Sequence, residues 1–191
     1  MATGDVTGDQ DAATAARQLT LIATAYTRRK TGRGDVTQHS TRSTGPAHAP
    51  LPIDPGIVEH MQACVAEVIT HTRAAAPTAP PAPADSAVYE WMRDHTRSLD
   101  AHRQAAAETI VYRQTLEHAI AMGDHSVVRR HPCPACHCYG LFWRPLAGKA
   151  ACANRKCPDP SGDGLARTWS LAHLAHLHVQ ARKESSARHA T

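Results

Sequence analysis

His131-Pro-Cys-Pro-Ala-Cys-His-Cys-Tyr-Gly140 and Ala150-Ala-Cys-Ala-Asn-Arg-Lys-Cys157 are the stretches that decide how this chain folds. Cys133 and Cys136 form a C-x2-C pair, Cys152 and Cys157 form a C-x4-C pair, and fifteen residues separate the two. Each close pair turns the backbone so that two thiolates aim at one point, and a hairpin-length insert carries the second pair across to the first. The spacing predicts a structural Zn2+ ribbon with Cys133, Cys136, Cys152 and Cys157 as the metal ligands. Cys138, two residues past Cys136, is turned away from the metal by chain direction, while His131 and His137 flank the first pair. If one of the four cysteines does not bind, Cys138 or His137 is the substitute. A closed site of four thiolates leaves no position for water, and no other nucleophile, base or phosphate loop stands out, so the chain is read as not an enzyme.

The insert itself reads as two short strands. Cys138-Tyr-Gly-Leu-Phe-Trp-Arg-Pro145 and Leu146-Ala-Gly-Lys-Ala-Ala-Cys-Ala153 flank a turn near Ala147-Gly148, and much of the aromatic content gathers here. Such a module is too small for an ordinary core, so the metal must supply folding free energy of order 10 kcal/mol. Asp159-Pro-Ser-Gly-Asp-Gly164 is a turn rather than a phosphate-binding motif. Arg167-Thr-Trp169 adds a third strand. Ser170 then caps a trailing helix whose His173, His176 and His178 read as a solvated face, and residues 185–191 read as a tail.

On the N-terminal side of the ribbon, residues 85–125 read as one long helix. No Pro or Gly interrupts 85–122, a length of about 57 Å at 1.5 Å per residue, and Gly123 supplies a stop. Val88, Met92, His95, Leu99, His102, Ala106, Thr109, Arg113, Leu116 and Ile120 follow one another in steps of three and four, a heptad-like seam diluted by His, Thr and Arg. Further out, residues 76–84 are a Pro-rich linker. Residues 51–75 form a helix opened by Asp54 and Pro55, with Ile57, Met61, Cys64 and Val68 in one apolar stripe. Cys64 reads there as a small buried hydrophobe. Residues 31–50 are a flexible linker, and residues 1–30 an Ala-rich helical segment ending in Arg28-Arg29-Lys30.

Composition bounds the rest. The chain has 191 residues, with one Phe, four Tyr and three Trp, so large core residues are scarce and the 42% hydrophobic content is swollen by Ala. A net charge of +4 suits an anionic partner without demanding one. The opening Met-Ala-Thr-Gly-Asp-Val predicts no secretion signal, and no apolar run reaches a membrane span of about eighteen residues, so a cytoplasmic location and no membrane are expected. There, closely spaced cysteines favour metal over disulfide.

Trp91 through Leu174, with Tyr112-Arg-Gln-Thr-Leu-Glu-His-Ala-Ile120, Gly123-Asp, Cys-Pro-Ala-Cys136 and Thr168-Trp-Ser-Leu171, resembles a group of uncharacterised zinc-ribbon proteins of high-GC actinobacteria and their phages or integrative elements. The Ala, Arg, Thr and His bias is similar. The one departure is His137, where zinc ribbons of this type carry Gly after the second cysteine. The resemblance implies a phage or mobile-element setting and supplies no activity. The expectation is an α-rich protein with a small C-terminal zinc ribbon and a long central helix, acting as a non-enzymatic accessory or regulatory protein associated with DNA or RNA. Arg129, Arg130, Arg144, Lys149, Arg155 and Lys156 are the nucleic-acid-binding candidates, beside the ribbon's aromatics. The alternative is an interaction adaptor in which residues 85–122 self-associate or bind a protein partner and the ribbon is purely structural.

Overall fold

The computed structural model describes residues 6–31, 55–157 and 167–189. Five helices and a three-stranded sheet follow in the order α1 (Val6–Thr31), α2 (Pro55–Ala75), α3 (Val88–Thr96), α4 (Ala101–Ala121), β1 (Leu141–Arg144), β2 (Lys149–Cys152), β3 (Thr168–Trp169) and α5 (Leu171–His189). A 3-10 turn over His125–Arg130 links α4 to the cysteine segment. Of the expected flexible linker over 31–50, Thr31 ends α1 and the rest lies outside the described residues, as do the Asp54 cap and the turn at Asp159–Gly164. None of the helices is long and apolar enough to cross a membrane among the described residues.

Residues 85–125 do not form one helix. α3 ends at Thr96, the chain turns through Arg97–Leu99, and α4 starts afresh at Ala101. Asp100 has an extended backbone (ψ 159°) and its carboxylate accepts the N–H of Arg103 at 3.0 Å. From one turn further on, the Gln104 amide donates to the carbonyl oxygens of Arg97 (2.8 Å) and Leu99 (2.7 Å). Asp100 thus satisfies an opening donor of α4, and Gln104 the carbonyls of the turn at the α3 C-cap Arg97 and at Leu99, so neither Pro nor Gly is needed to end a helix here. The far end of α4 stops as expected: Gly123 takes φ 90°, and Asp124 N–H reaches back to the carbonyl of Ala119 at 2.8 Å.

Two buried clusters share α4. The first joins Ala12, Ala15 and Leu19 of α1, Val68 of α2, Val88, Tyr89 and Met92 of α3, and Ala107 and Val111 of α4. The segment read as a Pro-rich linker has no regular structure, but Ala79 and Ala82 lie against this cluster, so it is fastened to the core rather than free. The second cluster joins Leu116 and Ala119 of α4 to Val127, Val128, Cys133, Leu141, Ala150 and Cys152, and to Leu171 and Leu174 of α5. The seam, which suits packing on the 51–75 helix or on a second copy, is used in part inside this chain: Leu116 is 3% exposed, Ile110 packs on the first cluster and Ile120 on the second, while Leu99 is half-buried. Arg113 joins Glu67 of α2 and Glu117 in an ion-paired set.

The sheet is antiparallel in the order β1-β2-β3, with Leu141 opposite Cys152, Phe142 opposite Ala151 and Arg144 opposite Lys149. β3 adds Thr168 and Trp169 against Ala151 and Ala150. The reversal between β1 and β2 ends at Gly148 in the left-handed region, φ 59°. Residues 185–189, read as tail, continue α5. The helix is clasped by Arg182, which pairs with Asp11 of α1 and with Glu108 of α4, while Lys183 adds a bond to Glu108 at 2.9 Å.

Candidate metal centre

The two cysteine pairs come from two tight turns held by their own backbones. In the first, His137 N–H donates to the carbonyl of Cys133 (2.8 Å) and Cys133 N–H to that of Cys138 (3.0 Å). His137 occupies φ 57°, the left-handed conformation that glycine takes without cost, so the departure from glycine leaves the turn intact. In the second, the Asn154 side chain accepts Lys156 N–H at 3.0 Å, and its carbonyl accepts Cys157 N–H at 2.9 Å. β2 delivers Cys152 directly.

The sulfurs of Cys133, Cys136, Cys152 and Cys157 all lie within 4.8 Å of one another. Cys133 to Cys157 is 3.7 Å and Cys136 to Cys152 is 3.6 Å. A tetrahedron of thiolates with metal–sulfur bonds of about 2.3 Å has edges of about 3.8 Å. The donors therefore stand where a four-coordinate ion needs them, and this quartet could hold a metal ion. Cys138 is exposed and faces the Asn154 amide at 3.8 Å, outside the quartet. His137 is exposed as well. His131 is buried and bonds the Tyr112 hydroxyl at 3.0 Å, so it belongs to the packing rather than to the ligand set.

The thiols differ in acidity. The N–H of Cys138, then the Asn154 amide, draw Cys136 down to about 6. Burial pushes Cys152 and Cys157 up, and hydrogen bonding to ionised Cys136 raises Cys138. Four thiolates this close cannot ionise together against one another's charge. A divalent cation at their centre is what would allow it.

All six cationic candidates are exposed. Arg129 and Arg130 end the 3-10 turn, Arg144 and Lys149 face one another at the tip of the hairpin, and Arg155 and Lys156 sit in the second cysteine turn. None has a carboxylate partner among the described residues. Between His125 and Cys157 the chain has these six Lys/Arg and no Asp or Glu, which leaves 15 cations against 17 carboxylates elsewhere. The net positive charge of the chain is thus confined to the hairpin and its approach. Tyr139 (74% exposed) and Phe142 (39%) stand among the cations. Trp143 and Trp169 turn instead toward the second cluster.

One residue set escaped the sequence reading. Cys64 is buried, as expected of a small hydrophobe, yet His60 lies beside it and His118 of α4 completes a group whose donor atoms also lie within 4.8 Å of one another. The signal available was His60-x3-Cys64, which places both side chains on one face of α2. His118 gave none, because the pairing of α2 with α4 is not visible in either segment alone. The chain matches no protein-family model, no curated protein and no solved structure.

Proposed function

We propose that the protein is a zinc-stabilised nucleic-acid-binding accessory protein, with the Cys133/Cys136/Cys152/Cys157 site holding Zn2+ and the exposed face of the hairpin as the contact surface. The phage or mobile-element setting implied by the resemblance suits such a role. The metal assignment rests on the donor set: four thiolates at tetrahedral spacing, the second pair flanking a hairpin, suit Zn2+ in a structural site.

The observation that carries the binding role is charge segregation. Arg144 and Lys149 are direct cross-strand partners, an arrangement that costs stability unless an anion lies between them. Four more cations flank them with no acid in the segment. Cations of this density without acidic relief are the footprint of a phosphate backbone, and Tyr139 and Phe142 offer rings on which unpaired bases can stack. The role is binding: a closed thiolate site offers no coordination position to a substrate. The adaptor alternative has less support, since Leu116 of its seam is buried within the chain and Ile110 and Ile120 pack against its clusters.

The test is fluorescence anisotropy of labelled single- and double-stranded oligonucleotides across a salt series. Binding that weakens with salt is expected, and Arg144→Glu with Lys149→Glu should lower the log–log salt slope by about 2, one for each phosphate no longer neutralised. Absence of binding at low salt, or a slope unchanged in a variant that retains its zinc, refutes the proposal.

A further inference from the structure

His60 and Cys64 stand one helical turn apart on α2, and His118 reaches them from α4. His60 Nε2 is 3.1 Å from His118 Nδ1 and 3.6 Å from Cys64 Sγ. For a tetrahedral ion with metal–nitrogen bonds of about 2.05 Å and a metal–sulfur bond of about 2.3 Å, the corresponding edges are about 3.3 and 3.6 Å. Three donors are therefore already grouped at ligand spacing.

Hydrogen bonds behind His118 assign its tautomer. The Gln114 amide nitrogen faces two groups that can only accept, the Cys64 carbonyl (3.1 Å) and a Glu67 carboxylate oxygen (2.9 Å). The Gln114 oxygen must then be the atom that accepts the Tyr89 hydroxyl at 2.7 Å. With its proton committed, the Tyr89 oxygen accepts from His118 Nε2 at 2.9 Å. His118 thus carries its proton on Nε2 and presents the Nδ1 lone pair to His60 and Cys64. An imidazole ligand whose second nitrogen donates into a fixed polar chain is how metal sites orient their histidines. His118, Gln114 and Tyr89 are all fully buried, so this support is rigid.

The group borders open space through His60 and Cys64, with His118 buried behind them. A cleft of about 750 Å3 is lined by His60, Cys64, Glu67, Arg113 and Glu117 and, across it, by Trp143 of the hairpin. We propose that His60, Cys64 and His118 form a second metal site, which takes a borderline divalent cation such as Zn2+ on one thiolate and two imidazoles and leaves the fourth position open to this cleft. Sulfur with imidazole selects this class of ion over the oxygen-seeking Mg2+ and Ca2+. An ion there ties α2 to α4 and, unlike the four-thiolate site, has a position free for water or the donor atom of a ligand.

Counting metal decides it. The full chain, purified reduced, loaded with excess Zn2+ and desalted, should show two Zn2+ per chain by native mass spectrometry. His60→Gln and Cys64→Ser should each show one. His60→Gln alters a side chain at the cleft, so its circular dichroism should match the unmodified protein even if Cys64→Ser folds poorly. Tyr89→Phe should retain the site but weaken its Zn2+ affinity by about 10–100-fold. One Zn2+ in the unmodified protein, or two that persist in a folded His60→Gln variant, overturns the second site and leaves the hairpin assignment standing. No bound Zn2+ at all overturns both.

Discussion

Stripping the proposed Zn2+ from the four-cysteine site, by chelation or by Cys152→Ser, should melt the hairpin and leave α1 to α4 folded. The magnitude follows from what else holds the segment. Val127, Val128 and Leu141 are its large buried apolar side chains. At about 1.5–3 kcal/mol each they amount to about 5–9 kcal/mol. A thiolate zinc site contributes about 10–16 kcal/mol at neutral pH, more than these three side chains together, so their burial cannot replace the metal. The first cluster takes all its buried members from α1 to α4 and none from the hairpin, so its burial is untouched. α5 should divide, its start at Leu171 and Leu174 loosening with the second cluster while Arg182 keeps its hold on Asp11 and Glu108. Hydrogen exchange with metal content measured in parallel is the assay. The amides of Cys133, His137 and Cys152 should lose protection, and those of Met92 and Val111 should keep it. A metal-free protein whose hairpin stays protected refutes the reasoning, as does one that loses protection everywhere in a single step.

Tyr89→Phe should cost about 2–3 kcal/mol by leaving the Gln114 oxygen and His118 Nε2 buried without their partner, read as a lower midpoint in urea. Arg182→Met should cost about 3 kcal/mol because Asp11 and Glu108 are left facing each other, and adding Asp11→Asn with Glu108→Gln should restore most of it. His137→Gly should stabilise the zinc-loaded hairpin by about 1 kcal/mol, since it removes the side chain held at φ 57°, with retained metal after dilution as the measurement. His178, expected on a solvated face, is instead half-buried and stacks on Tyr112 at 4.0 Å with His131 alongside, and burial, then Arg182, hold its imidazole below its ordinary 6.5. The unfolded chain then takes up a proton at His178 that the folded one refuses, so stability falls as pH drops below about 6.5. His178→Phe should accordingly lose less of its Tm between pH 7 and pH 5 than the unmodified protein.

The cysteine hairpin was legible because its information is local. Two pairs at short spacing, a glycine at the reversal and a strand on either side are enough to bring four sulfurs together without knowledge of the rest. Even Gly123, which closes α4, and Thr168-Trp169, which closes the sheet, could be placed from neighbours a few residues away. The break between α3 and α4 is also written locally, in Asp100 and Gln104, but in a form that looks ordinary inside a helix. Both residues are common on helix surfaces, and only the direction of their hydrogen bonds turns them into caps. The His60, Cys64 and His118 group was not legible because it depends on which helix lies against which, and that is settled by burial across the whole molecule.

α4 shows why the seam is diluted. Tyr112, Leu116 and Ala119 turn toward the hairpin and α5, since Leu116 and Ala119 belong to the second cluster and Tyr112 packs on it. Gln114 and His118, one turn apart, face α2 and α3, where their bonds to Cys64, Tyr89 and His60 are made. Arg113 and Glu117 edge the cleft between these faces. A helix with one covered side shows one apolar stripe, and steps of three and four then trace it. A helix covered on two sides, one of them by a polar network, scatters its buried positions around the axis, and His, Gln and Arg fall among them. The dilution of the seam by His and Arg fits a helix packed on two sides by its own chain. It also accounts for fully buried polar residues in a chain so poor in large hydrophobes. With few large side chains to fill the space between α2, α3 and α4, the gap is bridged by Tyr89, Gln114 and His118, and each carries a hydrogen bond that offsets the cost of its burial.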